Sequence, residues 1–210
     1  MDGQKEISGY TYENSDLNDS HRFLLPALVD ILNSLNLDPA ENRIFEVGCG
    51  NGSVAHALSR LGYDITGVDP SEQGIAQANL QYPELKLYKG SAYEDLVAIY
   101  GQFPIVISLE VIEHVYSPRK YVKTIFNLLK EGGVTIISTP YHGYIKNLLL
   151  AVSNKMDNHF TVLWDHGHIK FWSIQTLAAL LQETGFREIM FKRIGRIPPL
   201  AKSMIAVARK

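Results

Sequence analysis

The stretch Arg43-Ile44-Phe45-Glu46-Val47-Gly48-Cys49-Gly50-Asn51-Gly52-Ser53 constrains this chain more than any other. A short apolar run ends in three glycines spaced two apart, and a helical pattern follows through Val54, Ala55, Ala57, Leu58 and Leu61. That pattern reads as a buried strand, a tight turn and a helix start. Glycine in the turn permits positive φ and lets a ligand lie against bare backbone. The helix start adds unpaired N–H groups and partial positive charge, suited to a carboxylate or phosphate.

The rest of the chain repeats the alternation. Strands are expected at 43–48, 64–69, 85–89, 104–109 and 134–139, and helices at 53–61, 71–80, 93–99, 117–130 and 173–184. Strict alternation predicts a parallel sheet with helices on both faces, binding its ligand beyond the carboxyl ends of the strands. Before it, Asp19 or Ser20 is expected to cap a helix to about Leu35, with Leu24, Leu28, Ile31 and Leu35 on one stripe and Pro26 early in it. After it, 187–194 and 204–208 read as two strands with no helix between them, hence a hairpin whose last strand runs antiparallel.

The glycine spacing is G-x-G-x-G. A dinucleotide fingerprint wants its third glycine one residue later, where this chain has Ser53. Two acids accompany the loop. Glu46 sits inside an apolar strand, where it needs a polar partner or ligand, and Asp69 ends the next apolar run, 17 residues after Gly52.

Together with Gly67-Val68-Asp69-Pro70-Ser71, Gly90-Ser91-Ala92, Leu109-Glu110-Val111-Ile112-Glu113-His114-Val115 and Leu129-Lys130-Glu131-Gly132-Gly133, the loop resembles the class I S-adenosylmethionine (SAM) methyltransferases. The likeness covers about residues 40 to 140, with five motifs in order. It implies a Rossmann-like α/β fold with a mostly parallel seven-stranded sheet and one antiparallel strand. The whole chain then forms one domain: an N-terminal lid and helix over 1–42, a SAM-binding core over 43–140, a substrate insertion over 141–172, and a helix with a strand pair over 173–210.

The resemblance assigns Glu46, Gly48, Cys49, Gly50 and Gly52 to the cofactor's methionine and ribose parts, with Glu46 reaching the loop backbone or the amino end. Asp69, next to Pro70, is expected to accept both ribose hydroxyls, to cap the following helix as Ser71 also would, or to do both. Ser91 and Ala92 border adenine, with the Ala92 N–H favoured over the Ser91 side chain. Cys49 reads as a small residue that fits a tight loop rather than as a nucleophile.

Leu109 and Glu110 open the E-x-x-E-H pattern of ubiquinone-biosynthesis O-methyltransferases. On a helical turn Glu110, Glu113 and His114 share one face, either as a wall of the cofactor pocket or, less favoured, as ligands of a divalent metal.

Composition narrows the partners. A chain of 210 residues, 46% hydrophobic, holds one core, and a net charge of -2 gives no broad case for nucleic acid. One cysteine excludes an internal disulfide and agrees with a reducing, cytoplasmic setting. The first six residues are polar, without the apolar region of a signal peptide. Tyr10 and Tyr12 are either exposed or folded over a pocket as a lid.

The connection 140–172 carries four of the seven histidines and both tryptophans, and its length suggests a lid or substrate loop. His166 and His168 are candidate general bases if their pKa lies near neutrality, His168 favoured, with a structural role equally open. Over 144–163 three readings stay open: packing on the core, which is favoured, a peripheral membrane contact, or a grip on a lipophilic substrate. The expected reaction is methyl transfer from SAM to a small-molecule acceptor, most simply a hydroxyl oxygen. The alternatives are an NAD- or nucleotide-sugar-binding protein and a catalytically silent methyltransferase-like subunit.

Overall fold

The computed structural model describes residues 12, 14–35, 41–160, 162–165 and 167–210. Tyr10 and His166 lie outside the described residues.

The glycine stretch folds as its pattern dictates. Strand β1 (Arg43–Val47) runs into the turn, and helix α2 (Ser53–Ser59) leaves it with Gly52 as N-cap at φ 76°. Before β1 lies helix α1 (Asp19–Ser34). Its cap is Asn18, not Asp19 or Ser20: the Asn18 carboxamide oxygen accepts the His21 N–H at 2.8 Å. Pro26 falls in mid-helix rather than in the first turn, and the helix runs through it.

Strands β2 (Asp64–Asp69), β3 (Lys86–Lys89), β4 (Phe103–Leu109), β5 (Leu129–Pro140), β6 (Arg187–Ile194) and β7 (Ser203–Arg209) complete one seven-stranded sheet in the order β3-β2-β1-β4-β5-β7-β6. The pairings from β3 to β5 are parallel, while β7 inserts antiparallel between β5 and β6. The expected hairpin and single antiparallel strand are both present.

Helices α3 (Glu72–Gln81), α4 (Leu96–Tyr100), α5 (Pro118–Leu128) and α8 (Ile174–Thr184) begin within three residues of their expected starts. β5 differs. It starts at Leu129, where the sequence suggested the helix still ran, because buried Leu129 pairs with Phe103 and residues 130–133 bulge out of the strand around Gly132.

Alternation along the strands builds two cores, one on each face of the sheet. Ile44, Ile105 and Ile107 pack with Leu24 and Leu28 of α1, Val54 and Leu58 of α2, and Ala78 of α3. Phe45, Val47 and Val106 pack with Leu96 of α4, Tyr121 and Ile125 of α5, and Leu177 and Leu181 of α8. Each fully buried Leu or Ile in these layers contributes about 1.5–3 kcal/mol over exposure.

The insertion adds helices α6 (Tyr144–Val152) and α7 (Met156–Phe160), neither with a buried residue. Core packing, the favoured reading of 144–163, is therefore not what α6 does. Among the described residues no helix is long and apolar enough to cross a membrane.

Candidate active site

The carboxyl ends of β1, β2 and β4 meet at the glycine turn. Gly48 and Gly50 adopt φ of 85° and 51°, left-handed values that favour glycine. A Cβ at Gly48 would run into Val111, and one at Gly50 into the Tyr12 ring. The loop is held by its backbone: the Gly48 and Cys49 N–H groups donate to Val68 O at 2.8 and 3.1 Å. Asp69 Oδ2 accepts the Gly50 N–H at 2.9 Å, and Oδ1 accepts the Ser71 N–H at 2.8 Å. Buried Asp69 thus staples the loop to the end of β2. Helix α3 is capped by Ser71, whose hydroxyl accepts the Gly74 N–H at 3.0 Å. Half-buried Pro70 turns the chain between these two side chains.

Glu46 lies buried beneath the same loop. Desolvation, then the neighbouring Asp69, pushes its carboxyl up to about 8, and its Oε2 meets no hydrogen-bond partner. The Cys49 thiol is buried and pushed up by burial and by the charges of Asp69 and Glu46. A thiol held protonated is a poor nucleophile, in keeping with a space-filling role.

A strap over the loop is built from residues 12 and 14–17. Tyr12 exchanges hydrogen bonds with Gln73: its N–H donates to Oε1 at 3.0 Å, and Nε2 donates to its carbonyl at 2.8 Å. Gln77 Nε2 donates to the same carbonyl at 2.9 Å. Asn51, inside the glycine turn, donates to the carbonyls of Asn14 and Asp16, and Tyr82 donates to that of Ser15. Of the two readings for Tyr12, the structure shows it folded over, its ring against Gly50 and Gly74.

Beyond β3, Ser91 and Ala92 are half-buried, and the Ser91 hydroxyl accepts the Tyr93 N–H at 3.2 Å to close its own turn. Beyond β4, Leu109 is buried and Glu110 takes a left-handed φ of 55°. This breaks the expected helical face. The helical turn covers only Ile112–His114, and Glu110 precedes it. Glu110 accepts the Ser138 hydroxyl at 2.8 Å and the Ser203 hydroxyl at 3.3 Å, and burial raises its carboxyl to about 7.

The trio that converges is Glu113, His114 and His168, each offering a ligand atom within 4.8 Å of the others. Both Glu113 oxygens are buried and meet no hydrogen-bond partner within 3.5 Å, and burial followed by Glu110 raises its carboxyl far above the usual range. His114 Nδ1 lies 3.2 Å from Gly167 O, and its ring packs edge-on against His168 and Trp164. The insertion is pinned here, since the Ile169 and Lys170 N–H groups donate to Glu113 O and Trp172 Nε1 to Ile112 O. His168 is not near neutrality: burial, then His114 and His159, lower it to about 4, so it is uncharged at pH 7.

Sequence reasoning missed Ser138 and Ser203. Their signal was a buried hydroxyl in each of two largely apolar strands, though β5 also carries Thr135 and Thr139. It also missed the pairing of His168 with Glu113 and His114, more than fifty residues apart in the chain.

A family model described as a methyltransferase domain matches residues 19–189. The chain belongs to the methyltransferase-domain family. The cofactor of this methyltransferase family is SAM.

Among curated relatives, the ubiquinone biosynthesis O-methyltransferase of Roseobacter denitrificans is 32% identical over 146 residues, covering 68% of this chain and 59% of its own length. That of Dinoroseobacter shibae is 31% identical over 154 residues, covering 70% and 60%. The chain thus spans about three-fifths of these relatives. Among solved structures, a magnesium protoporphyrin IX methyltransferase from Synechocystis with bound S-adenosylhomocysteine (SAH) aligns with TM-score 0.67 at 16% identity, covering 97% of this chain and 91% of that one. A SAM-dependent methyltransferase from Archaeoglobus fulgidus gives TM-score 0.66 at 15% identity, covering 91% and 97%. These two likenesses establish the fold: class I, Rossmann-like.

Proposed function

We propose that the protein transfers the methyl group of SAM to a hydroxyl oxygen of a small molecule. The observation that carries this reading is the position of the Glu113–His114–His168 trio, at the turn after β4 in the sheet whose β1–α2 turn is the glycine loop. The names of the curated relatives support oxygen as the acceptor atom.

SAM is an activated donor, so the protein's work is to bind, orient and exclude water. The glycine loop would hold the methionyl and ribose portions, with Asp69 as the acid for the ribose hydroxyls. Glu46 would meet the cofactor's ammonium, and the Ser91–Ala92 turn would border adenine. Leu109 and Glu110 form the far wall. Uncharged His168 takes the hydroxyl proton as the methyl moves. A phenol, the more acidic hydroxyl, asks less of this base than an aliphatic alcohol would.

The trio also fits a divalent cation. Two imidazoles and a carboxylate are a recurrent donor set, and both Glu113 oxygens lack a partner. A bound cation would take the His168 lone pair and supply Lewis acidity to the acceptor oxygen in place of that base. The chain's own part is to hold the three donors together through the bonds from Ile169 and Lys170 to Glu113 O.

The test is calorimetric titration with SAH and with NAD, followed by a screen of phenols with SAM. Binding of SAH alone, with methyl ether formed on a phenol, is expected. NAD binding without SAH binding would overturn the reading, and SAH binding without turnover on any hydroxyl would favour a silent subunit.

A further inference from the structure

The base of the insertion gathers polar atoms that no hydrogen bond uses. His142 sits between the end of β5 and helix α6, only 7% exposed, and its Nδ1 meets no partner. The same holds for Asn147 Oδ1 on α6 and His159 Nε2 on α7. The His142 and His159 rings lie 5.3 Å apart between centroids. Phe160 stacks on His142 at 6.0 Å, and Phe171 meets it edge-on at 5.1 Å. Backbone fixes the place, since the His142 N–H donates to Trp172 O at 3.0 Å. A buried polar atom without a partner costs stability, so three of them together point to an occupant.

One cation stands beside this cluster. Lys146, in the first turn of α6, folds back so that its ammonium donates to Tyr141 O at 2.8 Å and to Lys202 O at 3.4 Å. An ammonium has three donors, and the third is unused. Lys146 is half-buried, and no ion pair among the described residues includes it. The one acid whose charge reaches it, Glu110, is already taken by the Ser138 and Ser203 hydroxyls. Burial, then Arg196, lowers the ammonium to about 8, so it keeps its charge at pH 7. Burial, then Lys146, keeps His142 neutral, at about 4. The N-terminus of α6 has no side-chain cap and adds partial positive charge at the same end of the helix.

A half-buried ammonium without a counter-charge, beside imidazoles that can each donate one N–H, suits an anion. A carboxylate matches it better than a phosphate, because its single charge balances one ammonium while the imidazoles stay neutral. The Phe160 and Phe171 rings offer a flat apolar wall to whatever carries that carboxylate.

We propose that Lys146, with His142 and His159, reads a carboxylate on the methyl acceptor, so that acidic phenols are taken in preference to neutral ones. The cluster borders the Glu113–His114–His168 trio, since the charge of His168 is felt at His142. The acceptor's identity rests on the methyl-transfer reading, whereas the carboxylate site does not.

The first arm of the test is an NMR titration of the whole protein, without SAM, with benzoate and with benzamide, which share a shape and differ in charge. The wild type is expected to bind benzoate roughly ten-fold tighter or better. Lys146→Met removes the charge, and His142→Phe keeps the ring packing while removing both nitrogens. Each should weaken benzoate about ten-fold and leave benzamide unchanged. Equal binding of the two probes by the wild type overturns the proposal without any variant. So does a benzoate preference that survives Lys146→Met, even if that variant melts lower, since the ammonium would then only tie α6 to the carbonyls of Tyr141 and Lys202. The second arm compares 3-hydroxybenzoate with 3-hydroxybenzamide as acceptors of methyl from SAM. The acid should show the lower KM in the wild type, and the difference should vanish in Lys146→Met. Methylation of both at equal KM overturns the proposal and leaves methyl transfer standing. Loss of SAH binding with the benzoate preference intact would instead sink the methyl-transfer reading and leave the carboxylate site standing.

Discussion

Asp69 accepts the Gly50 N–H at 2.9 Å, joining the end of β2 to the middle of the glycine turn after β1. The loop's shape is therefore set by the chain's own hydrogen bonds. An acid at this position sets the backbone of the turn from the neighbouring strand.

Asp69→Asn replaces one oxygen with a donor, and one of two backbone donors then faces it. Leaving a buried donor unpaired costs about 1–3 kcal/mol. The variant is expected to melt lower and to bind SAH about ten-fold more weakly or worse, read by thermal melting and calorimetry. Unchanged binding would show that the loop holds its shape without this staple.

Gly50→Ala meets two penalties, a left-handed φ of 51° and the Tyr12 ring in the space of its Cβ. The backbone alone costs about 1–2 kcal/mol. Tyr12→Ala in the same chain frees the space and not the backbone. The double variant should therefore recover part, not all, of the lost thermal stability, and full recovery would place the whole penalty in the strap.

Glu46 gives the pH dependence its sign. Its folded carboxyl is raised from 4.5 to about 8, so the folded protein without ligand holds a proton that the unfolded chain has lost. That contribution is full below about 4.5 and is lost as pH rises through about 8. An ammonium beside Glu46 favours the ionised form, so SAH should bind more tightly as pH rises toward 8. Titrations across this range should show the trend in the wild type and a flat profile in Glu46→Gln. A trend that survives the substitution would assign it to another group.

The trio makes a prediction independent of turnover. Zinc or magnesium should raise the melting temperature of the wild type, and Glu113→Gln or His168→Ala should abolish the rise. Chelator should reverse it. No rise with either ion would leave Glu113, His114 and His168 as a polar wall alone.

Much of the fold was legible because its signals are local. The apolar runs at Ile44–Val47 and Ile105–Leu109, each ending at a polar or glycine residue, need no tertiary information to read as buried parallel strands. The cap of α1 was misplaced by one or two residues because Asn18, Asp19 and Ser20 are all good caps, and backbone geometry chooses among them. The site was legible only where it is contiguous. Gly48, Gly50 and Asp69 follow from local pattern, but Glu110 could not be separated from Glu113 without its positive φ, which depends on Ser138 and Ser203 far along the chain. The lowered His168 pKa was out of reach for the same reason, since burial by the folded insertion is no property of the segment itself.

The place of β7 between β5 and β6 carries a consequence for synthesis. β6 is made first, yet among the described residues its one sheet neighbour is β7. As the chain leaves the ribosome at about 5–20 residues per second, the parallel half of the sheet can assemble in order while β6 waits as an unpaired edge. The sheet closes only once Ser203–Arg209 has emerged, and that strand also delivers Ser203 to Glu110. The seat of Glu110 and the last seam of the sheet are thus completed by the same few residues.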